Sequence, residues 1–274
     1  MSIVAVLGCG PAGLFAAQAL SLHNIKPVII SKKKKSELYG AQYLHRPIPG
    51  LSSQLPTGSI STYRVGSPEA YAERVYGLST IVTSWDRVVP LNDAWDLRRT
   101  YDAAWEKFSD DILDTTIGPD DVNEFSATFD LVISTIPLWA ICDRTNKHLF
   151  RSQNILVRKD IKFNEVPMVE ESPAKNWVVY NGTHMYSWYR ASHIFGHTSV
   201  EARSHPSFHI NKLWEPGFKV VDTDCDCHPA VIRAGRMGTW TRGVLTHHAF
   251  ERTVEAISEQ FGIMPCADHP AKSV

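Results

Sequence analysis

Six residues near the start of the chain carry the clearest chemical signal: Gly8-Cys9-Gly10-Pro11-Ala12-Gly13, a G-x-G-x-x-G pattern. In this spacing the first glycine permits a tight turn, the second lets backbone amides approach a pyrophosphate, and the third lets the following helix pack on the preceding strand. An anion held this way rests on a helix N-terminus, where free N–H groups and the helix dipole favour negative charge. The flanking elements fit the motif. Ile3-Val4-Ala5-Val6-Leu7 is the apolar run of a strand buried on both faces, Leu14 to Leu22 is an Ala/Leu-rich helix, and Lys26 to Ser31 supplies a second strand. Together they predict a βαβ unit, the context in which the glycine pattern is informative.

In such a unit the second strand ends in an acidic residue that holds ribose hydroxyls. Here it ends in Ser31, followed by Lys32-Lys33-Lys34-Lys35, with Glu37 further on. Two cofactors stay open at this point. Ser31 and Lys32 suit the 2′-phosphate of NADP, Ser31 alone suits the ribose of FAD, and a solvated lysine loop is compatible with either.

Two distant segments bear on the choice. Phe129-Asp130-Leu131-Val132-Ile133-Ser134-Thr135-Ile136-Pro137 is another buried-strand run closed by proline. Near the far end, Val231 to Arg236 reads as a strand entering Gly235, Met237 to Gly243 as a loop containing Trp240, and Val244 to Gln260 as a helix. Leu245, Ala249, Val254 and Ile257 approximate the apolar face of that helix. A second glycine-bearing strand–loop–helix so far from the first suits a cofactor as long as FAD, whose flavin end uses a second helix start.

On these residues the chain resembles the glutathione-reductase-like FAD flavoproteins, in particular the amine-oxidase and UDP-galactopyranose-mutase branch. The resemblance rests on the N-terminal glycine motif, the Asp130 to Pro137 strand and the Gly235-Arg236 element. It implies that Gly8, Gly10, Pro11, Ala12, Gly13, Ser31 and Lys32 lie along the nucleotide, with Thr135, Ile136 and Pro137 beside its adenine half. It also implies that Gly235, Arg236, Trp240, Gly243, Val244 and Leu245 meet the pyrophosphate and flavin. Gly40-Ala41-Gln42-Tyr43 stands where the family has a flavin-side loop, which places Gln42 and Tyr43 near the isoalloxazine. The departures are Ser31 at the ribose position, a single glycine in that loop and a short chain.

Composition sets the outer limits. In 274 residues, 28 Lys and Arg face 29 Asp and Glu, so nucleic acid is not indicated as a partner by net charge, though a local patch stays open. Five scattered cysteines suggest a reducing, cytoplasmic setting, and no apolar run is long enough for a membrane span. Asn181-Gly182-Thr183 reads as a turn. Cys225-Asp226-Cys227-His228 has C-x-C spacing, with the two cysteines on one face of an extended strand and His228 on the other. Adjacent His247 and His248 make a poor ligand pair. No metal site is expected.

The expected architecture is α/β. A Rossmann-like FAD-binding domain with a discontinuous parallel sheet spans 1–58, 124–153 and 222–274. A smaller α+β substrate lobe with an antiparallel sheet spans 59–123 and 154–221. Strands are expected at Ser59–Val65, Asn154–Val157, Trp177–Tyr180 and Met185–Ile194, and helices at Ala70–Tyr76 and Ala94–Ile112. Tyr186, Trp188, Tyr189, Arg190 and His193 form the densest aromatic and cationic group, suited to a planar or anionic small-molecule substrate through stacking and bidentate hydrogen bonds. Arg190 is the expected anchor with Tyr189 beside it, and His45 the expected proton carrier. The leading function is an FAD-dependent oxidoreductase for a small amine, an amino-acid-like compound or a sugar nucleotide. Its rivals are an NADP enzyme of the same fold, a flavin-dependent lyase or mutase (including one in phage-type thymine hypermodification of DNA), and a non-catalytic nucleotide-binding module. The oligomeric state is not fixed.

Overall fold

A computed structural model describes residues 2–40, 42–77, 84–86, 89–159, 175–203 and 214–263. Ala41 and Cys266 therefore lie outside the described residues. The first elements are β1 (Val4–Leu7), α1 (Pro11–Leu22), β2 (Pro27–Ser31), β3 (Tyr43–Leu44), β4 (Gly58–Gly66) and α2 (Pro68–Tyr76). Next come β5 (Leu91–Asp96), α3 (Leu97–Phe108), β6 (Ile112–Asp114), α4 (Pro119–Thr128), β7 (Leu131–Ser134) and α5 (Leu138–Ile141). Strands β8 (Phe150–Lys159), β9 (Trp177–Gly182), β10 (Trp188–Ile194), β11 (His197–Arg203) and β12 (Trp214–Thr223) follow, and β13 (Ile232–Arg233), α6 (Gly235–Thr239) and α7 (His248–Phe261) complete the order.

Two sheets organise these elements. Among the described residues the first has five strands in the order β13-β7-β1-β2-β6, all parallel. Its central strands β1 and β7 are buried at every position because both faces are covered, whereas the edge strand β6 exposes Leu113 and Asp114. Val4, Val6, Ile29 and Ile133 turn toward α1, α3 and α7, while Ala5, Leu7, Ile30 and Val132 turn toward Val122, Leu138 and Ile141 on the other side. Helix α1 is buried from Gly13 to Leu20, sandwiched between the sheet, α3 and α7, which is why it is apolar on nearly every side. Its one buried polar residue, Gln18, donates to the Pro49 carbonyl at 2.8 Å and accepts from Lys107 at 2.9 Å.

The second sheet has eight strands in the order β12-β8-β11-β10-β9-β4-β5-β3. Neighbours are antiparallel except β4 and β9, which run parallel, so the expected antiparallel sheet is in fact mixed. The expected long helix Ala94–Ile112 is also divided: Ala94 to Asp96 closes β5, and the Asp96 carboxylate then caps α3 by accepting from the Arg98 and Arg99 amides. Residues 97–114, expected in the second lobe, pack on α1 through α3 and pair with β2 through β6. Toward the end, α6 occupies part of the expected loop, and α7 begins at His248 rather than Val244. Asn181 and Gly182, expected in a turn, instead close β9 by pairing with Val65 and Gly66, and the Asn181 side chain accepts from the Thr183 amide at 2.9 Å. No described helix is long and apolar enough to cross a membrane.

Candidate functional site

The βαβ unit builds its turn as the glycines require. Gly8 sits at φ +106°, where an added Cβ would meet Thr135 Oγ1 at 2.6 Å. An added Cβ on Gly13 would lie 1.9 Å from the Gly8 carbonyl oxygen, so α1 can start only over glycine. Gly10 is different: its added Cβ would meet only Ser36 Oγ, at 3.6 Å, because it faces open space. Gly10 is the N-cap of α1, with no side-chain cap and no acidic residue in the first turn, which leaves the first amides and the positive end of the dipole for an anion. Tyr101 on α3 holds this turn in place. Its hydroxyl donates to the Cys9 carbonyl at 3.0 Å and accepts from the Ser36 amide at 3.0 Å.

The open space is a cleft of about 850 Å³ lined by segments from across the chain. Of the expected cofactor residues, Gly8, Gly10, Pro11, Ala12, Ser31, Lys32, Gln42, Thr135, Ile136, Pro137 and Arg236 line it. The C-terminal turn converges on the N-terminal one: Gly235, at φ +70°, packs so closely on α1 that an added Cβ would lie 2.7 Å from Ala12 Cβ. Gly238 is equally tight against the Ser134 carbonyl, at 2.4 Å for an added Cβ.

Other expected residues stand elsewhere. Gly13 supports the turn from behind, and Tyr43 stacks on His45 with ring centres 5.1 Å apart. Trp240, expected at the flavin, is buried in the core instead: it stacks on Phe218 at 5.6 Å, meets Phe150 edge-on at 5.7 Å and donates to the Arg151 carbonyl at 3.2 Å. Gly243 is exposed, and Val244 and Leu245 act through their backbones, the former accepting from Arg236 Nε at 3.1 Å and the latter donating to His248 Nδ1 at 3.2 Å. The cleft wall also includes Thr115, Thr116 and Ile117, which the sequence reading missed. The signal was the short apolar Ile112-Leu113 ahead of them, which is too brief to separate from the end of a helix.

The candidate catalytic residues fall into two groups. Tyr189 and Arg190 belong to a buried ionic cluster on β10, β11 and β12. Arg190 pairs with Glu201, Lys219 Nζ lies 2.8 Å from Glu201, and the Tyr189 hydroxyl donates to Glu201 at 3.2 Å. Burial alone would raise the Glu201 carboxyl, but the Arg190 guanidinium and the Lys219 ammonium outweigh it and hold it at about 2. Lys219 is brought down to about 8, by burial first and then by Arg190. The cluster abuts the cleft wall: an added Cβ on Gly40, at φ +76°, would touch Glu201 Oε1 at 2.4 Å. Arg236, which lines the cleft, has its pKa lowered chiefly by burial, with Arg190 close enough to add to the effect. One guanidinium and one ammonium thus pair with one carboxylate, with Tyr43, Tyr71 and Tyr180 among the rings near Arg190.

His45 forms the second group. It stacks between Tyr43 and His247, whose ring centre is 5.9 Å away, and burial followed by His248 lowers its pKa. It does not line the cleft. His247 is more strongly affected, and burial holds it neutral down to about 3. At the other end of the cleft, Lys33 and Lys35 pair with Asp110 and Asp102 at 3.8 and 2.6 Å, while Lys32 and Lys34 line the wall.

No family model matches this chain. No curated protein matches it either. Among solved structures, reduced UDP-galactopyranose mutase superposes with a TM-score of 0.62 at 14% identity, over 96% of this chain and 96% of that one. The p-nitrophenol 4-monooxygenase of Pseudomonas putida DLL-E4 superposes with a TM-score of 0.52 at 12% identity, over 95% of this chain and 80% of that one. At such identities the likeness is one of architecture, and the chain has the α/β flavoprotein fold, a parallel sheet joined to a mixed second sheet, that these two enzymes share.

Proposed function

We propose that the cleft holds FAD and that the chain is an FAD-dependent oxidoreductase, or a mutase of the same fold, acting on a small anionic substrate. The observation that carries this reading is the convergence of two glycine turns from opposite ends of the sequence on one elongated cleft, with Gly235 packed against Ala12. A cofactor with a central pyrophosphate and two aromatic ends suits a cleft that has a helix N-terminus at its middle, Ser31 toward one end and Arg236 toward the other. The fold shared with UDP-galactopyranose mutase and with a monooxygenase supports flavin over a contiguous nicotinamide site.

In this reading Gly10 and the first turn of α1 bind the pyrophosphate, Ser31 and Lys32 meet the adenosine ribose, and Thr135 to Pro137 flank the adenine. Bound FAD would supply two-electron redox chemistry at a carbon next to nitrogen or oxygen. The chain's own contribution lies at the Arg236 end. Arg190 Nε is buried with no partner among the described residues, and the surrounding cations exceed the single Glu201 carboxylate, so the cluster favours a phosphate or carboxylate group. An amino-acid-like compound or a sugar nucleotide meets that requirement better than a simple amine. His45, stacked behind Tyr43, would move a proton only through that ring or a water.

Purified protein should show the visible absorption of flavin, or acquire it on titration with FAD, and calorimetry should show FAD binding in preference to NADPH. Binding of NADPH alone, with no flavin spectrum, would overturn the assignment. It would favour the reading in which Lys32 and Lys34 at the Ser31 end meet a 2′-phosphate.

A further inference from the structure

We propose that Cys142, His148, Cys225 and Cys227 form a closed, structural Zn²⁺ site. Tetrahedral zinc with sulfur ligands at about 2.3 Å and nitrogen at about 2.0–2.1 Å requires S···S edges of about 3.8 Å and S···N edges of about 3.6 Å. Here Cys142 Sγ lies 3.7 Å from Cys227 Sγ and 3.6 Å from Cys225 Sγ. His148 Nδ1 is 3.3 Å from Cys142 Sγ and 3.6 Å from Cys227 Sγ. All four ligand atoms lie within 4.8 Å of one another, and the three cysteines are buried. The sulfurs are too far apart for the ~2.05 Å bond of a disulfide, and a bridge between any two would leave the third sulfur and the imidazole without a role.

The surroundings also suit a metal. His148 Nε2 faces Asp226 Oδ1 at 3.5 Å, a carboxylate on the distal nitrogen that fixes the tautomer with Nδ1 free to ligate. Three thiolates on one dication leave a net negative charge. Arg233, donating to the Cys225 carbonyl at 2.7 Å and to the Cys227 carbonyl, and Arg144, 3.2 Å from Asp226, lie beside it. Asp143 accepts from the Cys227 thiol at 2.6 Å and also lies 3.5 Å from Arg144 Nε, so when that thiol ionises its half-exposed carboxylate keeps a cationic partner. His228, next in sequence, is not a ligand: it is engaged by Asn123 at 3.1 Å and the Ile141 carbonyl at 2.7 Å. With three thiolates and one imidazole the donor set favours zinc, and four protein ligands leave no open position for catalysis.

Its place in the fold suggests its task. The chain leaves the parallel sheet for the mixed sheet twice, and on the second excursion it departs between α5 and β8 and returns between β12 and β13. Cys142 and His148 lie on the outward crossing and Cys225 and Cys227 on the return, so one ion ties the two crossings together.

Full-length protein purified without chelators should contain about one zinc per chain by elemental mass spectrometry, and Cys142→Ser should reduce this to below ~0.1. Cys9→Ser, at a buried cysteine outside the cluster, should retain the metal. Cobalt added to reduced, metal-stripped wild type should give the intense visible bands of a tetrahedral thiolate complex, and His148→Cys should keep binding with a shifted spectrum. The wild-type cobalt titration decides the matter even if Cys142→Ser does not fold. Folded wild type with no stoichiometric zinc and no cobalt spectrum would overturn the proposal, as would a disulfide among these cysteines or iron or copper in place of zinc. None of these readouts involves the cofactor cleft.

Discussion

The cleft and the ionic cluster beside it are built in opposite ways. The cleft is made from backbone: Gly8, Gly13, Gly235 and Gly238 each allow two main-chain segments to come closer than any Cβ would permit. The cluster is made from side chains on three strands, where Arg190, Glu201 and Lys219 neutralise one another in part. A backbone site tolerates almost no added volume but little depends on its charges. A side-chain site tolerates volume but fails if one charge is removed alone.

The largest effect should come from Gly13→Ala, whose Cβ would sit 1.9 Å from the Gly8 carbonyl oxygen. A loss of more than about 4 kcal/mol is expected, read as lost soluble yield or a collapsed melting temperature. A stable Gly13→Ala protein would break the contrast at its firmer end. Next, Glu201→Gln should cost about 3–5 kcal/mol by denaturant unfolding, because Arg190 and Lys219 then stay buried without their counter-ion. Since the folded state holds the Glu201 carboxyl at about 2 against an ordinary 4.5, its contribution is present above about pH 4.5 and fades as pH falls toward 2. Over that window Glu201→Gln should lose less stability than wild type.

Smaller effects separate holding the fold from holding a ligand. Gly10→Ala adds a methyl group that meets only Ser36 Oγ at 3.6 Å, so melting of the ligand-free protein should be nearly unchanged. FAD affinity by fluorescence titration should fall about 10- to 100-fold, or about 1.4–2.8 kcal/mol. The smallest change is expected from Lys32→Ala. Lys32 is an exposed side chain on the cleft rim, and FAD binding should shift by no more than about 1 kcal/mol. A much larger loss, confined to NADPH, would move the assignment at the Ser31 end.

The same contrast explains what could be read in advance. Glycine spacing is local, so Gly8 to Gly13 and the flanking strands were legible from residue types alone, whereas the link to Gly235 came from the order of the pieces and the family resemblance. Thr115 to Ile117 were not, because β6 is three residues long and joins the parallel sheet only through its register with β2. Trp240 looked like a ring for the flavin. Its position in the core is set by Phe150 and Phe218, 90 and 22 positions earlier on β8 and β12, a pairing that no sequence pattern displays. The thiol cluster was hidden for the same reason: Cys225 and Cys227 lie beyond the end of β12, not on the expected strand, and the ligands that complete the set, Cys142 and His148, arrive from the opposite crossing. Arg190 was singled out as a substrate anchor from its aromatic neighbours, while its partner Glu201 follows only from the pairing of β10 with β11.

The insertion of β8 to β12 between β7 and β13 has a consequence for synthesis. The apolar flank of α1 is covered by Ala249, Phe250, Val254 and Ile257 of α7, which begins at His248, 226 positions after α1 ends at Leu22. As a ribosome elongates the chain, that flank emerges early and waits for its cover until nearly all the described residues have been translated, a delay over which exposed apolar surface invites chaperones or self-association.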